Sequence, residues 1–463
     1  MRSRKLLAFI LCLITGPALA GYMTLLGAGL GAVQPVAQSS FTNSSYSTNL
    51  SNLTSVATFS RVGNAMQFDS SGYLTYGPNN LLTQSNTFSN AAWAKSTLTL
   101  TSGQTDPLGG TNATRLTATG ATSFIYQNPA FTSGVNAVTT IWVKRISGSG
   151  VINLWTLSGG TGTAIVPTGT WAQYAVSGTS SGSAYSGIII QTSGDVIDIY
   201  AATASAVTYE TTPRTQDQVI TTSAAYYGPR FTASIGSSTI LGLMDERAAA
   251  TNIVLWNRDL TNAAWTKTNV TAAKTQTGID NTANSASLIT ATAGNGTVLQ
   301  SVTLASSQRF QTAYVKRVTG SGVINMTTDG GATWTAITVT ASWARVSIPA
   351  QTVTNPQFGF QIVTNGDAIA VDYVGNETGA SATSEIYTTT AAITRPPETI
   401  TFTGYASNPW AAYETPIATG LAACNTYANQ AALNANVNGV SEIIRNVKAY
   451  PVGTSLAALT CTP

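Results

Sequence analysis

Along the middle of the chain, apolar and polar residues alternate in short runs bounded by Gly, Asn, Asp and Ser. A period of two is the mark of half-buried antiparallel strands. The pattern predicts strands over 137–144, 171–176, 187–191 and 196–200, and again over 311–316, 343–348, 359–363 and 368–373. The two sets are copies. Residues 143–154 read VKRISGSGVINL and residues 315–326 read VKRVTGSGVINM, 172 positions later, and the same interval relates Asn90-Ala91-Ala92-Trp93 to Asn262-Ala263-Ala264-Trp265, Trp171 to Trp343, and Gly194-Asp195 to Gly366-Asp367. A gap-free match over such a span is a whole domain used twice, not a solenoid turn.

Several strands in a module of about 130 residues imply a β-sandwich of jelly-roll type, and SGSGV and TGSGV read as hairpin turns, where Gly supplies positive φ. The expected fold is all-β: two tandem jelly-roll-like antiparallel β-sandwiches with an extended N-terminal arm and a short C-terminal extension. The expected divisions are a leader at 1–20, an arm or linker at 21–60, a first module with its lead-in at 61–225, a second at 226–400, and the extension at 401–463. The arm is Gly-rich and then Ser/Asn/Thr-rich without a sustained period, which predicts a loosely ordered tail. In the extension, 419–437 reads as a short helix or an irregular Ala/Asn-rich segment and 442–450 as one strand, too little for an ordinary sandwich of its own.

Composition supports this. Charged residues are only 8% of the 463, so the helix formers Glu, Lys and Arg are scarce. Hydrophobic residues at 43%, with 9 Trp, 18 Tyr and 12 Phe, supply apolar area that a disordered chain lacks. The formal charge of +3 is small for this length and forms no basic stripe, so nucleic acid is not an expected partner. There is no histidine, which removes the commonest general base and the commonest metal ligand together.

The first twenty residues, MRSRKLLAFILCLITGPALA, have a basic start, an apolar run and an A-x-A site before Gly21, the form of a secretory signal peptide; the rival reading is a true start at Met23. Cys12 falls in that leader. The remaining pair, Cys424 and Cys461, permits one disulfide in an oxidising compartment; two unpaired buried cysteines are the alternative.

The sequence offers little to a catalyst. Ser-His-Asp and Cys-His arrangements are impossible without histidine, and residues 178–182 match GxSxG only formally, in a Ser/Gly-rich turn with no base for Ser180. Three acidic pairs are available for glycoside hydrolysis: Asp195 with Asp198, Asp245 with Glu246, and Asp367 with Asp372. Asp195 and Asp367 follow Gly in equivalent turns, so they read as turn-shaping residues. No DxDxDG loop marks a calcium site, and no cofactor is implied. Lys144-Arg145 and Lys316-Arg317 read as solvated charges that block a sheet edge.

Tryptophan is the better lead, because sugars stack their apolar faces on flat aromatics. Trp93, Trp265, Trp171 and Trp343 recur in both copies and read as shared core, joined by Trp142, which aligns with Tyr314. Trp155, Trp256, Trp334 and Trp410 have no aromatic counterpart and are the candidate ligand contacts.

Four stretches resemble segments of tailed-bacteriophage or prophage structural proteins. Residues 228–267, GPRFTASIGSSTILGLMDERAAATNIVLWNRDLTNAAWTK, are similar to a GPRF-type strand, a GLLIE-type strand, an Arg-Thr-Asn-Leu linker and an SNAAWTK module start; residues 57–95 open the first copy similarly. Residues 375–395 are similar to the family's exit segment, and 442–460 to the closing strand of a concanavalin-A-like domain. The resemblance covers roughly 57–400 well and the tail weakly. It implies a non-enzymatic virion decoration, fibre or tail protein carrying carbohydrate-binding-like sandwiches, with other virion proteins and host cell-surface glycan as partners, and homo-oligomers, trimers among them. An exported or surface-anchored adhesin of prophage origin is the alternative.

Overall fold

The computed structural model of the chain describes residues 33–156, 162–210, 214–417, 420–435 and 441–461. The leader expected at 1–20 and the first part of the arm lie outside the described residues.

The alternating runs pair into two sandwiches of the same topology. In the first module, one antiparallel sheet has the order Ala172–Thr179, Asn136–Ser147, Val196–Val207, Ala113–Ala118, Leu98–Gln104. The facing sheet has the order Thr163–Ile165, Ile152–Trp155, Ser186–Ile190, Ser123–Gln127, Ala94–Ser96. The second module repeats this strand for strand: Ala344–Val353, Ser307–Thr319, Ala368–Thr378, Ala286–Ala291, Val270–Gln276, faced by Thr335–Ile337, Ile324–Thr327, Gln357–Ile362, Gly296–Ser301, Thr266–Thr268. The inward positions of each alternation fill the space between the sheets, with Trp93, Ile141, Val143, Leu154 and Ile188 in one copy and Trp265, Val315, Met326 and Phe360 in the other. A slip of one residue would turn any of these strands inside out, so the apolar face fixes its register.

The repeated VKR…GSG block owes its form to one carboxylate. Asp195 accepts from the Gly150 backbone N–H (2.8 Å) and from Arg145 (3.0 Å), while Arg145 donates to the Gly150 carbonyl (2.8 Å). Asp367, Gly322 and Arg317 repeat this at 2.7, 3.1 and 2.7 Å. Gly148 and Gly320 have φ of 85° and 80°, and a Cβ on either would stand 1.8 Å from the aspartate Oδ1, so no other residue fits. The expectation that these lysines and arginines block an edge is therefore corrected: their strand lies second in its sheet, with a partner on each side. Lys144 and Lys316 lie over Trp171 and Trp343, 5.2 and 4.9 Å from the ring centroids. Those two tryptophans are half-buried, each just before an edge strand, and Trp343 packs against the core of the first module.

The arm is ordered where it is described, against expectation. Ala37–Ser40 forms a strand on Glu442–Ala449, and Tyr46–Val56 forms a helix capped by Ser45 that buries Asn49, Leu53 and Val56. The apolar spacing of three is present in the sequence but diluted by Ser, Thr and Asn. Packing, not intrinsic propensity, stabilises such a helix. Residues 401–463 are likewise no separate extension. Strands Trp410–Pro416, Ala423–Tyr427 and Glu442–Ala449 join Phe231–Ala233 and Ile240–Asp245 from the second lead-in, and Ala37–Ser40 from the arm, in a six-stranded sheet. Gln430–Ala435 is a short helix. Phe41, Leu53, Phe231, Leu243, Phe402, Trp410 and Val447 form this third core. Cys424 and Cys461 are joined by a disulfide, with their Cα atoms 5.4 Å apart.

At the root of that sheet lies a buried ionic hub. Arg230 donates Nε to Glu398 Oε1 (2.8 Å), Nη2 to Glu398 Oε2 (2.8 Å) and to Glu246 Oε2 (2.5 Å), and Nη1 to the Met66 carbonyl (2.5 Å). Arg61 reaches Glu398 at 2.6 Å and Arg395 reaches Glu246 at 3.3 Å. These charges come from the segments that carry the phage-protein resemblance and from the strand after the second module.

Candidate functional site

On the first module, the outer face of the sheet holding Ser123–Gln127 carries a cluster of four aromatic rings. Ile125 and Leu154 point into the core, so Phe124, Tyr126 and Trp155 point away from it. Tyr126 and Trp155 flank Gly187 in one cross-strand row. A Cβ on Gly187 would stand 2.6 Å from Tyr126 Cα, so the row closes only around glycine. The Tyr126 and Trp155 centroids are 5.2 Å apart. Tyr185 lies 4.8 Å from each, and Phe124 is 5.7 Å from Tyr126 and 6.2 Å from Trp155. All four are half-buried, and interplanar angles of 46–69° give each ring an edge or face toward its neighbour. The Trp155 indole N–H has no hydrogen-bond partner among the described residues.

The second copy has no such cluster. Ser123 faces Ile190 as Gly296 faces Ile362, and Trp155 faces Gly187 as Thr327 faces Gly359, so the matching positions are Thr297, Leu299, Thr327 and Gln357. The fold therefore does not require aromatics on this face. An apolar patch present in one of two otherwise parallel copies calls for a function.

Of the four tryptophans singled out from the sequence, only Trp155 lies in the cluster. Trp410 is 0% exposed in the third core, which corrects its reading as a ligand contact: it packs against Phe402 and Tyr405. Trp256 is half-buried at a turn with φ 51°, where its carbonyl accepts from Trp265 Nε1 as that of Gln84 accepts from Trp93. Trp334 packs its ring on Gly331 in a loop of the second module. Sequence reasoning missed Phe124, Tyr126 and Tyr185; the signal was available in S-F-I-Y-Q, whose two aromatics share the outward face and are absent from the second copy.

The acidic pairs are all engaged by cations or backbone. Asp198 is held by Arg115 (2.8 Å) and Lys144 (3.7 Å), and Asp372 by Arg258 (2.7 Å), which also grips Asp280 (2.7 Å). Burial pushes the Asp245 carboxyl up to about 6, against the pull of Arg247 at 2.8 Å. Burial would also raise its neighbour Glu246, but Arg230 and Arg395 outweigh it and hold that carboxyl at about 2. Ser180, in the formal GxSxG match, is buried and bonds the Ser183 carbonyl (3.2 Å) within its own turn.

One buried carboxylate near the hub has weaker support. Burial pushes Glu377 up to about 7, with the Thr383 hydroxyl at 2.6 Å opposing it. Because the folded value lies above the unfolded one, its contribution is fully present below about 4.5 and is lost as pH rises through 7. Glu377→Gln is therefore expected to stabilise the chain by roughly 2–3 kcal/mol at pH 8 and to change nothing near pH 4. Urea unfolding at the two pH values checks it, and equal effects at both would refute it.

No family model matches the chain, and no curated relative does. Among solved structures, the chain is similar to the CBM22-1 xylan-binding domain of Paenibacillus barcinonensis Xyn10C, at 15% identity and a TM-score of 0.22 over 28% of this chain and 94% of that one. It is similar also to the CBM22-1–CBM22-2 tandem of the same protein, at 10% identity and a TM-score of 0.23 over 65% of this chain and 98% of that one. Likeness at such scores carries no argument here; the sandwich fold rests on the strand pairing itself.

Proposed function

We propose that the chain is a non-catalytic attachment protein, a virion accessory of decoration, fibre or tail type, whose first module binds carbohydrate on its outer aromatic face while the second serves as a spacer. The observation that carries the reading is the cluster of Phe124, Tyr126, Trp155 and Tyr185 in one copy and its replacement by Thr, Leu, Thr and Gln in the other. Aromatic faces take up the apolar side of a sugar ring. The engagement of the candidate carboxylates by arginine, lysine or backbone supports binding without turnover. The virion setting rests on the segment resemblance.

Affinity electrophoresis of the whole protein in gels containing soluble xylan, glucan or host surface polysaccharide tests the reading. Trp155→Ala is expected to weaken retardation by at least about thirtyfold, roughly 2 kcal/mol, as for a central aromatic contact. Trp334→Ala, on the other module, is expected to leave it unchanged. Equal retardation of wild type and Trp155→Ala would end the proposal.

The alternative, an exported adhesin of prophage origin, is favoured by the leader-like first twenty residues together with the Cys424–Cys461 disulfide. Mass spectrometry of the mature N-terminus separates the two. Cleavage after Ala20 supports export; an intact chain or a start at Met23, found within purified particles, supports the virion.

A further inference from the structure

We propose that the cleft between the two modules is a second binding site, for a neutral polyhydroxylated ligand such as the end of an oligosaccharide. The cleft encloses about 570 Å³, within the range of small-molecule pockets of ~300–1,000 Å³. Tyr76 from the first lead-in and Tyr373 and Tyr387 from the second module line it. Tyr76 and Tyr373 are 6% and 3% exposed, and none of the three hydroxyls has a hydrogen-bond partner among the described residues. Tyr76 and Tyr373 bury their rings, while the hydroxyl oxygens of all three tyrosines stay accessible and open onto the cleft. Here three phenols from separate segments are left to whatever occupies one cleft.

The site is specific to this pairing of modules. Both copies carry a bulge at the same place in the long central strand, with φ 47° at Ala201 and 44° at Tyr373, so the distortion is inherited while the tyrosine is particular to the second copy. A bulge re-aims a side chain. Arg258 then fixes the ring: its guanidinium lies 4.3 Å from the Tyr373 centroid and is itself held by Asp280 and Asp372. The position 172 before Arg258 is Asn86, which cannot make that clamp. The two cations that line the cleft, Arg258 and Lys274, are each paired with carboxylates, Arg258 with Asp280 and Asp372 and Lys274 with Asp259 at 3.8 Å, so an anion finds no unpaired cation there. Hydroxyl groups of a neutral ligand meet the needs of the cleft: they both donate and accept, as phenols do, and replace solvent without loss of hydrogen bonds.

This site does not depend on the aromatic face of the first module, and the test keeps the two apart. Saturation-transfer NMR and titration calorimetry use the full chain carrying Trp155→Ala, with cellotriose, xylotriose, maltotriose and the N-acetylglucosamine trimer as probes. At least one trimer is expected to bind this variant, and adding Tyr373→Phe with Tyr387→Phe, which keeps both rings, is expected to weaken it by roughly tenfold per hydroxyl lost. If no trimer binds the Trp155→Ala protein, or if the Phe substitutions leave affinity unchanged, the cleft is no site and the face on the first module stands or falls by itself.

Discussion

Replacing Arg230 with methionine is expected to lower the stability of the chain by about 3–5 kcal/mol, the usual cost of stripping one partner from a buried ion cluster. Arg230 is 0% exposed and serves both acidic members of the hub, Glu246 and Glu398, with the Ser384 hydroxyl at 2.9 Å filling the remaining space. Without it, Arg61 and Arg395 each face one carboxylate that has lost its best donor. Lysine restores charge but not the two parallel bonds to Glu398, so Arg230→Lys is expected to recover only part of the loss. Denaturant unfolding measures the deficit, and a change within 1 kcal/mol of wild type would refute the hub's importance. The same geometry sets an acid limit. Glu246 is held at about 2 against an ordinary 4.5, so its contribution is complete above 4.5 and is lost as pH falls through 2.

The sandwiches were legible because their information is local and doubled. Alternation gave the strands, and the constant interval tied one copy to the other; the ends of the strands, such as Val196–Val207 beyond the predicted 200, were set by packing that alternation does not record. The third sheet was not legible. Its strands at Ile240–Asp245 and Glu442–Ala449 pair Leu243 with Ile444, across some two hundred intervening residues, and nothing in either strand names the other. The hub was hidden for a different reason: a charged residue in sequence reads as solvated, and only the fold reveals that Arg61, Arg230 and Arg395 converge. In a chain with 8% charged residues, that scarcity was itself a hint that the charges present have structural duties. The aromatic face stood between these cases. Asking which tryptophans lacked a counterpart found Trp155 but also drew in Trp410, whose burial belongs to the unforeseen sheet, and passed over phenylalanine and tyrosine on the same outward positions.

The disulfide carries the other large expected effect. Cys424 sits in the edge strand Ala423–Tyr427, whose one strand neighbour is Trp410–Pro416, and Cys461 lies beside Tyr450 and Leu459 at the far end of the described chain. The bond closes a loop across a sequence separation of 37, worth about 4 kcal/mol in the chain-entropy account. The edge strand keeps its hydrogen bonds from Tyr427 to Glu414 (2.9 and 2.8 Å) when the bond is cut, so the loss falls on the third sheet before the sandwiches. Reductant is expected to lower the first thermal transition of wild type and to leave the Cys424→Ser, Cys461→Ser protein unmoved at the reduced temperature. If melting ignores reductant while a thiol assay shows both cysteines free, the cross-link contributes nothing. The same assay bears on where the chain matures. Thiols stay reduced in the cytoplasm and oxidise outside it, so a chain that assembles into particles there is expected to show Cys424 and Cys461 free before release and bonded after, whereas an exported chain shows them bonded at every stage.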